Sequence, residues 1–195
     1  MTKILQKENP ILRMIAGNVS VESIKSAKIQ KIIKEMRTAL LSQEDGVAIA
    51  APQIGYSLRI FVVSKKVFEI VKESKEKQVG TLKKNIDITS NTKNMKDLIF
   101  INPVIQKISK EKNVVEEGCL SVRYLYGQVS RSTKATVEAY NEFGKKFTRG
   151  GTGLLAQIFQ HETDHLNGIL FIDKAQNVEE LVPEHLKTIT KNAKK

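Results

Sequence analysis

The sequence predicts an α+β fold, with a central helix carrying an H-E-x-x-H pattern packed among antiparallel strands and a second helix near the N-terminus. Three observations carry this. Apolar residues recur at helical spacing in two separate segments, near 24–40 and 154–165. Between and after them lie short β-branched, apolar runs with turn residues at their ends. No internal repeat, and no linker that would divide the chain, interrupts the 195 residues, so 1–195 reads as a single domain.

The elements follow in order. Ser20-Val21-Glu22-Ser23 offers N-cap residues, and Ile24, Ala27, Ile32, Met36 and Leu40 then share one face. This predicts a helix from about Val21 to Ser42. Gly46 to Gly55 is small, apolar and broken by Pro52, so it is not helical. Leu58 to Val63 reads as a buried strand. Ser64 to Asp97 is polar and lysine-rich, long for a loop in a compact domain, and is expected to be a surface insertion with a short helix near Val67–Lys75. Leu98 to Ile105 returns to strand character, interrupted by Asn102-Pro103. Thr136–Tyr140 and Lys145–Thr148 flank Asn141-Glu142-Phe143-Gly144, a hairpin signal. Thr152 is placed to cap a helix ending near Leu166, with Asn167-Gly168 as its stop. A last short helix is expected after Pro183.

Composition narrows the function. No apolar run approaches the ~20 residues that span a bilayer, and the first residues lack the apolar core and small-residue cleavage site of a signal peptide. One cysteine, Cys119, rules out an internal disulfide and suits a reducing, cytoplasmic location. The formal net charge is +11, much of it in Ser64–Lys96 and in the tail 185–195, which carries four lysines and no acid. Such charge is ordinarily solvated surface. It also attracts polyanions such as RNA or the ribosome, but no RNA-binding motif accompanies it.

The chemistry sits in His161-Glu162-Thr163-Asp164-His165. Residues four apart share a helix face, so both imidazoles point one way, with a carboxylate beside them. Leu154 and Ile158 continue the same stripe and would bury the helix. Two histidines under-coordinate a metal, since a catalytic site wants three protein ligands and an open position. His185 and Cys119 are the candidates for the third. His185 lies in the basic tail after a proline, a poor place for a rigid ligand. A lone cysteine is most often a small buried hydrophobe, but Cys119 follows Gly118, which allows close backbone approach, and the helix lacks a third donor.

Three motifs now stand in order: Gly46-Val47-Ala48-Ile49-Ala50-Ala51-Pro52-Gln53, Glu117-Gly118-Cys119-Leu120-Ser121 and Gln160-His161-Glu162-Thr163-Asp164-His165. With Asn9-Pro10-Ile11-Leu12-Arg13 near the start, they make the chain resemble the peptide deformylases over nearly its whole length except 64–97. The resemblance implies a metal-dependent hydrolase that removes the N-formyl group from the N-terminal methionine of nascent polypeptides. It implies Cys119, His161 and His165 as metal ligands and Glu162 as general base. Gln53 and the Leu120 N–H become donors to the substrate oxygen. Glu117 becomes a carboxylate just outside the metal ligands, paired with Arg131. The segment Gly46, Val47 and Ala48 would lie along the peptide, and Val47, Tyr126 and Ile158 would line a methionine pocket. The implied ion is ferrous iron (Fe2+), with zinc, nickel or cobalt able to take its place; ligand preference alone also suits zinc.

Three positions depart from the family pattern. Ala48 replaces a glycine, Arg123 a proline, which is expected to loosen the strand exit after Cys119, and Gln157 an apolar residue on the metal helix. They bear on substrate fit. Competing readings are a zinc endopeptidase, which would ordinarily complete its site with His or Glu, and a divergent, weakly active deformylase-like protein serving as a ribosome- or RNA-binding basic module.

Overall fold

The structure, a computed structural model, describes residues 2–78 and 96–182, with the backbone alone over 73–78. The helix expected after Pro183, the basic tail 185–195 and most of the lysine-rich stretch lie outside the described residues.

Among the described residues, eight strands form two antiparallel sheets. The larger has the order β1 (Ala48–Ala50), β2 (Ile60–Val63), β3 (Leu98–Ile108), β6 (Lys134–Tyr140), β7 (Lys146–Thr152). The smaller is β4 (Lys112–Cys119), β5 (Val122–Ser132), β8 (Gln176–Glu180). Three helices, α1 (Ala27–Leu41), α2 (Lys66–Gln78) and α3 (Leu154–Leu166), pack on them, which makes the fold α+β.

The larger sheet is covered on both faces at β1, β2 and the start of β3, and this explains their continuous apolar runs. Side chains alternate along a strand. Ile60 and Val62 of β2 therefore join Ile99 and Ile101 of β3 against Ile32, Ile33 and Met36 of α1. Phe61, Val63 and Phe100 face the other way, against Ala156 and Phe159 of α3. Phe61 and Phe100 are register partners, with ring centroids 4.5 Å apart, and Phe159 meets Phe100 edge-on at 5.2 Å. The metal-motif helix is thus anchored on the sheet by an aromatic cluster.

Several boundaries move. α1 begins at Ala27, not near Val21, because the Ser26 hydroxyl accepts from Ile29 N–H and caps it there. Val21–Ser23 forms a separate 3-10 turn, and the buried Ile24 lies between the two. The expected surface insertion begins as core: α2 starts at Lys66, and Val67 is fully buried against the α3 face. β3 runs straight through Asn102-Pro103, absorbing them in a register shift with Asn102 at φ 50°. Gly153 at φ 55°, not Thr152, caps α3; Thr152 ends β7. The stop at Asn167-Gly168 is where the sequence puts it. Ile169 N–H returns to the Asp164 carbonyl and Gly168 N–H to His165, closing the helix as a Schellman motif. The hairpin over 141–145 also forms, with Asn141 Oδ1 accepting from the N–H groups of Phe143 and Lys145.

Candidate active site and metal centre

Three elements converge on one point: the end of β4, the buried face of α3 and the 3-10 turn Ala51–Ile54 that follows β1. β4 brings Cys119 and α3 brings His161 and His165, and their ligand atoms all lie within 4.8 Å of one another. Among the described residues no other group of histidine, cysteine and acidic side chains is so placed; His185 lies outside them.

One ring, that of His161, is held from behind, whereas the buried Nδ1 of His165 has no partner among the described residues. His161 Nδ1 lies 3.0 Å from Glu117 Oε2, which leaves Nε2 as the nitrogen facing the thiol side. His165 presents Nε2 to Cys119 Sγ at 3.2 Å. Glu117 is itself clamped by Arg131, whose Nε and Nη2 donate to its two oxygens at 2.8 and 2.9 Å. Arg131 Nη1 then donates to Asp164 Oδ2 at 2.6 Å, and Lys174 Nζ reaches Asp164 as well. Burial pushes the Glu117 carboxyl up, but the hydrogen bonds from Arg131 and His161 outweigh it and hold it at about 2. Burial disfavours a charge on His161, yet its contacts with Cys119 and Glu117 hold its pKa well above the ordinary value. An environment that favours a proton there also favours a cation. A thiol and two imidazoles, one of them oriented by a carboxylate, fit a divalent transition metal with one position left open.

Glu162 is 3% exposed, and its Oε2 has no partner among the described residues. Burial raises its carboxyl to about 7, with His161 opposing the rise; a divalent cation beside it would pull the value down again. Gln53 is equally buried and fixed at both ends. Its Oε1 accepts from Ala50 N–H at 2.7 Å, while Nε2 donates to Ser121 Oγ at 3.1 Å and approaches Cys119 Sγ at 3.5 Å. The amide N–H2 is therefore aimed at the centre without freedom to turn.

The centre opens into a cleft of about 280 Å³. Gly46, Val47 and Ala48 line one wall, Leu120 and Tyr126 the other, and Ile158, His161 and Glu162 the floor. The proposed ligands, base, oxyanion donors and substrate-binding residues all line this cleft except the buried His165; Arg131, proposed as the partner of Glu117, is buried away from it. A Cβ at Gly118 would lie 2.7 Å from the Tyr126 ring, so the glycine lets the tyrosine fold across the cleft wall.

One of the three departures behaves differently from expectation. Arg123 does not loosen the strand exit; it lies within β5 and pairs with Asp45 and Gln43 across the cleft. Gln157 lines the cleft and donates to the Glu116 carbonyl at 3.0 Å. Ala48 is buried against the second core cluster. Sequence reasoning missed Asp164 as the far end of the Arg131 chain, and missed Gln160, whose amide bonds Ser132 N–H and carbonyl and ties α3 to β5.

With this geometry in view, the comparisons are decisive. The family described as polypeptide deformylase matches residues 1–181. The chain belongs to that family. It is 36% identical over 187 residues to peptide deformylase 2 of Clostridium acetobutylicum, covering 96% of this chain and 99% of that protein. It is 33% identical over 189 residues to the chloroplastic/mitochondrial peptide deformylase 1A of Arabidopsis thaliana, covering 97% of this chain and 64% of that longer protein. Among solved structures, a deformylase from Legionella pneumophila superposes with a TM-score of 0.72 at 34% identity, over 91% of this chain and 87% of that one. A class I type b deformylase from Acinetobacter baumannii, bound to Met-Ala-Ser, superposes with a TM-score of 0.69 at 30% identity, over 88% and 97%. As a deformylase, the chain is a metal-dependent hydrolase of the formyl amide on an N-terminal methionine. The reading as an idle basic module is not favoured, and Cys119 beside the two histidines sets the site apart from a zinc endopeptidase of the usual ligand set.

Proposed function

We propose that this chain deformylates N-formyl-methionyl nascent peptides in the cytoplasm, with Cys119, His161 and His165 holding Fe2+. The observation that carries the reading is the thiol and two imidazoles within 4.8 Å, with the Gln53 amide 3.5 Å from the thiol. A divalent ion held by these three residues would supply Lewis-acid activation of water and of the formyl oxygen. Glu162 accepts a proton from the attacking water, being buried and unpartnered at Oε2. Gln53 Nε2 and the Leu120 N–H donate to the oxygen as negative charge develops on it, and because Gln53 is already locked it does not reorganise during the step. Glu162 then returns its proton to the leaving nitrogen. The formyl C–N bond breaks, and the products are formate and a free amine. Val47, Tyr126 and Ile158 offer an apolar recess for the methionine side chain, and Gly46–Ala48 an edge for the peptide. The relative crystallised with Met-Ala-Ser supports this class of peptide for this chain.

The net charge of +11 suits an encounter surface for the ribosome. The test of the metal assignment is metal analysis of anaerobically purified protein beside Cys119→Ala. The native chain should hold one iron per chain and the variant should not. Stoichiometric metal in the variant would move the third ligand elsewhere.

A further inference from the structure

Arg123 joins the two walls of the cleft. Its Nη1 donates to Asp45 Oδ2 at 2.6 Å, and Nη2 donates to Asp45 Oδ1 at 3.3 Å and to Gln43 Oε1 at 2.5 Å. Both ends are anchored. The Arg123 N–H donates to Gln6 Oε1, and Gln6 Nε2 donates to the Leu120 carbonyl at 3.1 Å. Tyr124, the next residue, sits at φ 63°, a conformation that a bulky residue keeps only where its surroundings fix it. Opposite, the Gln43 carbonyl accepts from Gly46 N–H at 3.3 Å, the residue that opens the Gly46–Ala48 wall. The hydrogen bond from Arg123 holds the Asp45 carboxyl below the usual range, so the pair stays ionised at neutral pH.

The Arg123 side chain is 25% exposed and that of Asp45 56%. A pair this exposed adds little to stability. A planar, bidentate fork does fix distance and angle between the segments it joins. These side chains sit at the rim, whereas Ile158 and Glu162 are buried at the floor. The peptide that follows a methionine seated at the floor must leave past the rim.

We propose that the Arg123–Asp45–Gln43 strap sets the gap between the cleft walls, making Arg123 a positioning residue for the peptide downstream of methionine. The inference rests on the deformylase reading above. It is tested with kcat and KM of wild type, Arg123→Met, Asp45→Asn, the double variant and Arg123→Lys, on formyl-Met-Ala-Ser and on formyl-methionine amide. Each single variant should raise KM for the tripeptide roughly fivefold with kcat nearly unchanged, the signature of lost uniform binding. The amide's KM should not move. The double variant should be no worse than either single, since both remove one interaction, and Arg123→Lys should recover part of the loss. An unchanged tripeptide KM would overturn the strap, as would a KM rise shared by both substrates with a lowered Tm. No formate from the wild type on either substrate would overturn the deformylase reading and the strap with it.

Discussion

Glu117 is an ionised carboxylate with 2% of its side chain exposed, held in that state chiefly by Arg131, which grips both oxygens, and also by His161. Arg131→Met would leave that buried charge with His161 alone and without its guanidinium, a loss of about 3–5 kcal/mol readable by denaturant unfolding. With its anchor gone, Glu117 would no longer orient His161, and metal affinity should fall about 10- to 100-fold. Unchanged stability and metal content would mean that the pair is dispensable. Glu162→Ala should leave the metal in place and lower kcat by about 10²–10⁴; a variant turning over at the native rate would remove Glu162 as the base. The Glu117–Arg131 pair was legible only through the family resemblance, since 14 residues separate its members and no local pattern links them. Asp164 was not legible at all. It occupies an unspecified position of H-E-x-x-H, and its partners Arg131 and Lys174 arrive from other elements. Arg123 was visible as a departure from the pattern, but its effect could not be read without Asp45, 78 residues away, beside it.

At the scale of the element, α3 carries two candidate metal ligands and the candidate base, so its rigidity sets the precision of the centre. Phe159 pins it to the sheet, Gln160 pins it to β5, and Gly168 lets the chain turn away at its end. Gly168 has φ 73°, and a Cβ there would lie 2.5 Å from the Arg13 carbonyl oxygen. Gly168→Ala is therefore expected to cost on the order of 1–3 kcal/mol and to lower Tm; an unshifted Tm would show that the helix end relaxes freely. The helix itself was plain in the sequence because its stripe and stop signal agree. Its start was not, because Gly153 caps it through a left-handed backbone rather than a side chain. β4 escaped notice for want of a sequence signal too. β4 is mostly exposed and charged, so it lacks the apolar alternation that marks a half-buried strand. It is nevertheless the strand that delivers Cys119.

For the molecule as a whole, the two sheets divide the work. The larger, buried on both faces over β1, β2 and the start of β3, supplies the platform for α3, while the smaller carries the Cys119 motif and one wall of the cleft. The surface charge belongs to this scale too. If it serves ribosome encounter, co-sedimentation should weaken steeply as salt rises, and salt-insensitive association would argue against it. The central claim is narrower and chemical: the centre at Cys119, His161 and His165 hydrolyses a formyl amide. Formate release from formyl-Met-Ala-Ser by anaerobically purified, iron-loaded protein tests it most directly. The account predicts one formate and one free amine per peptide consumed, with turnover retained on nickel or cobalt; no formate with any of the three metals bound would contradict it.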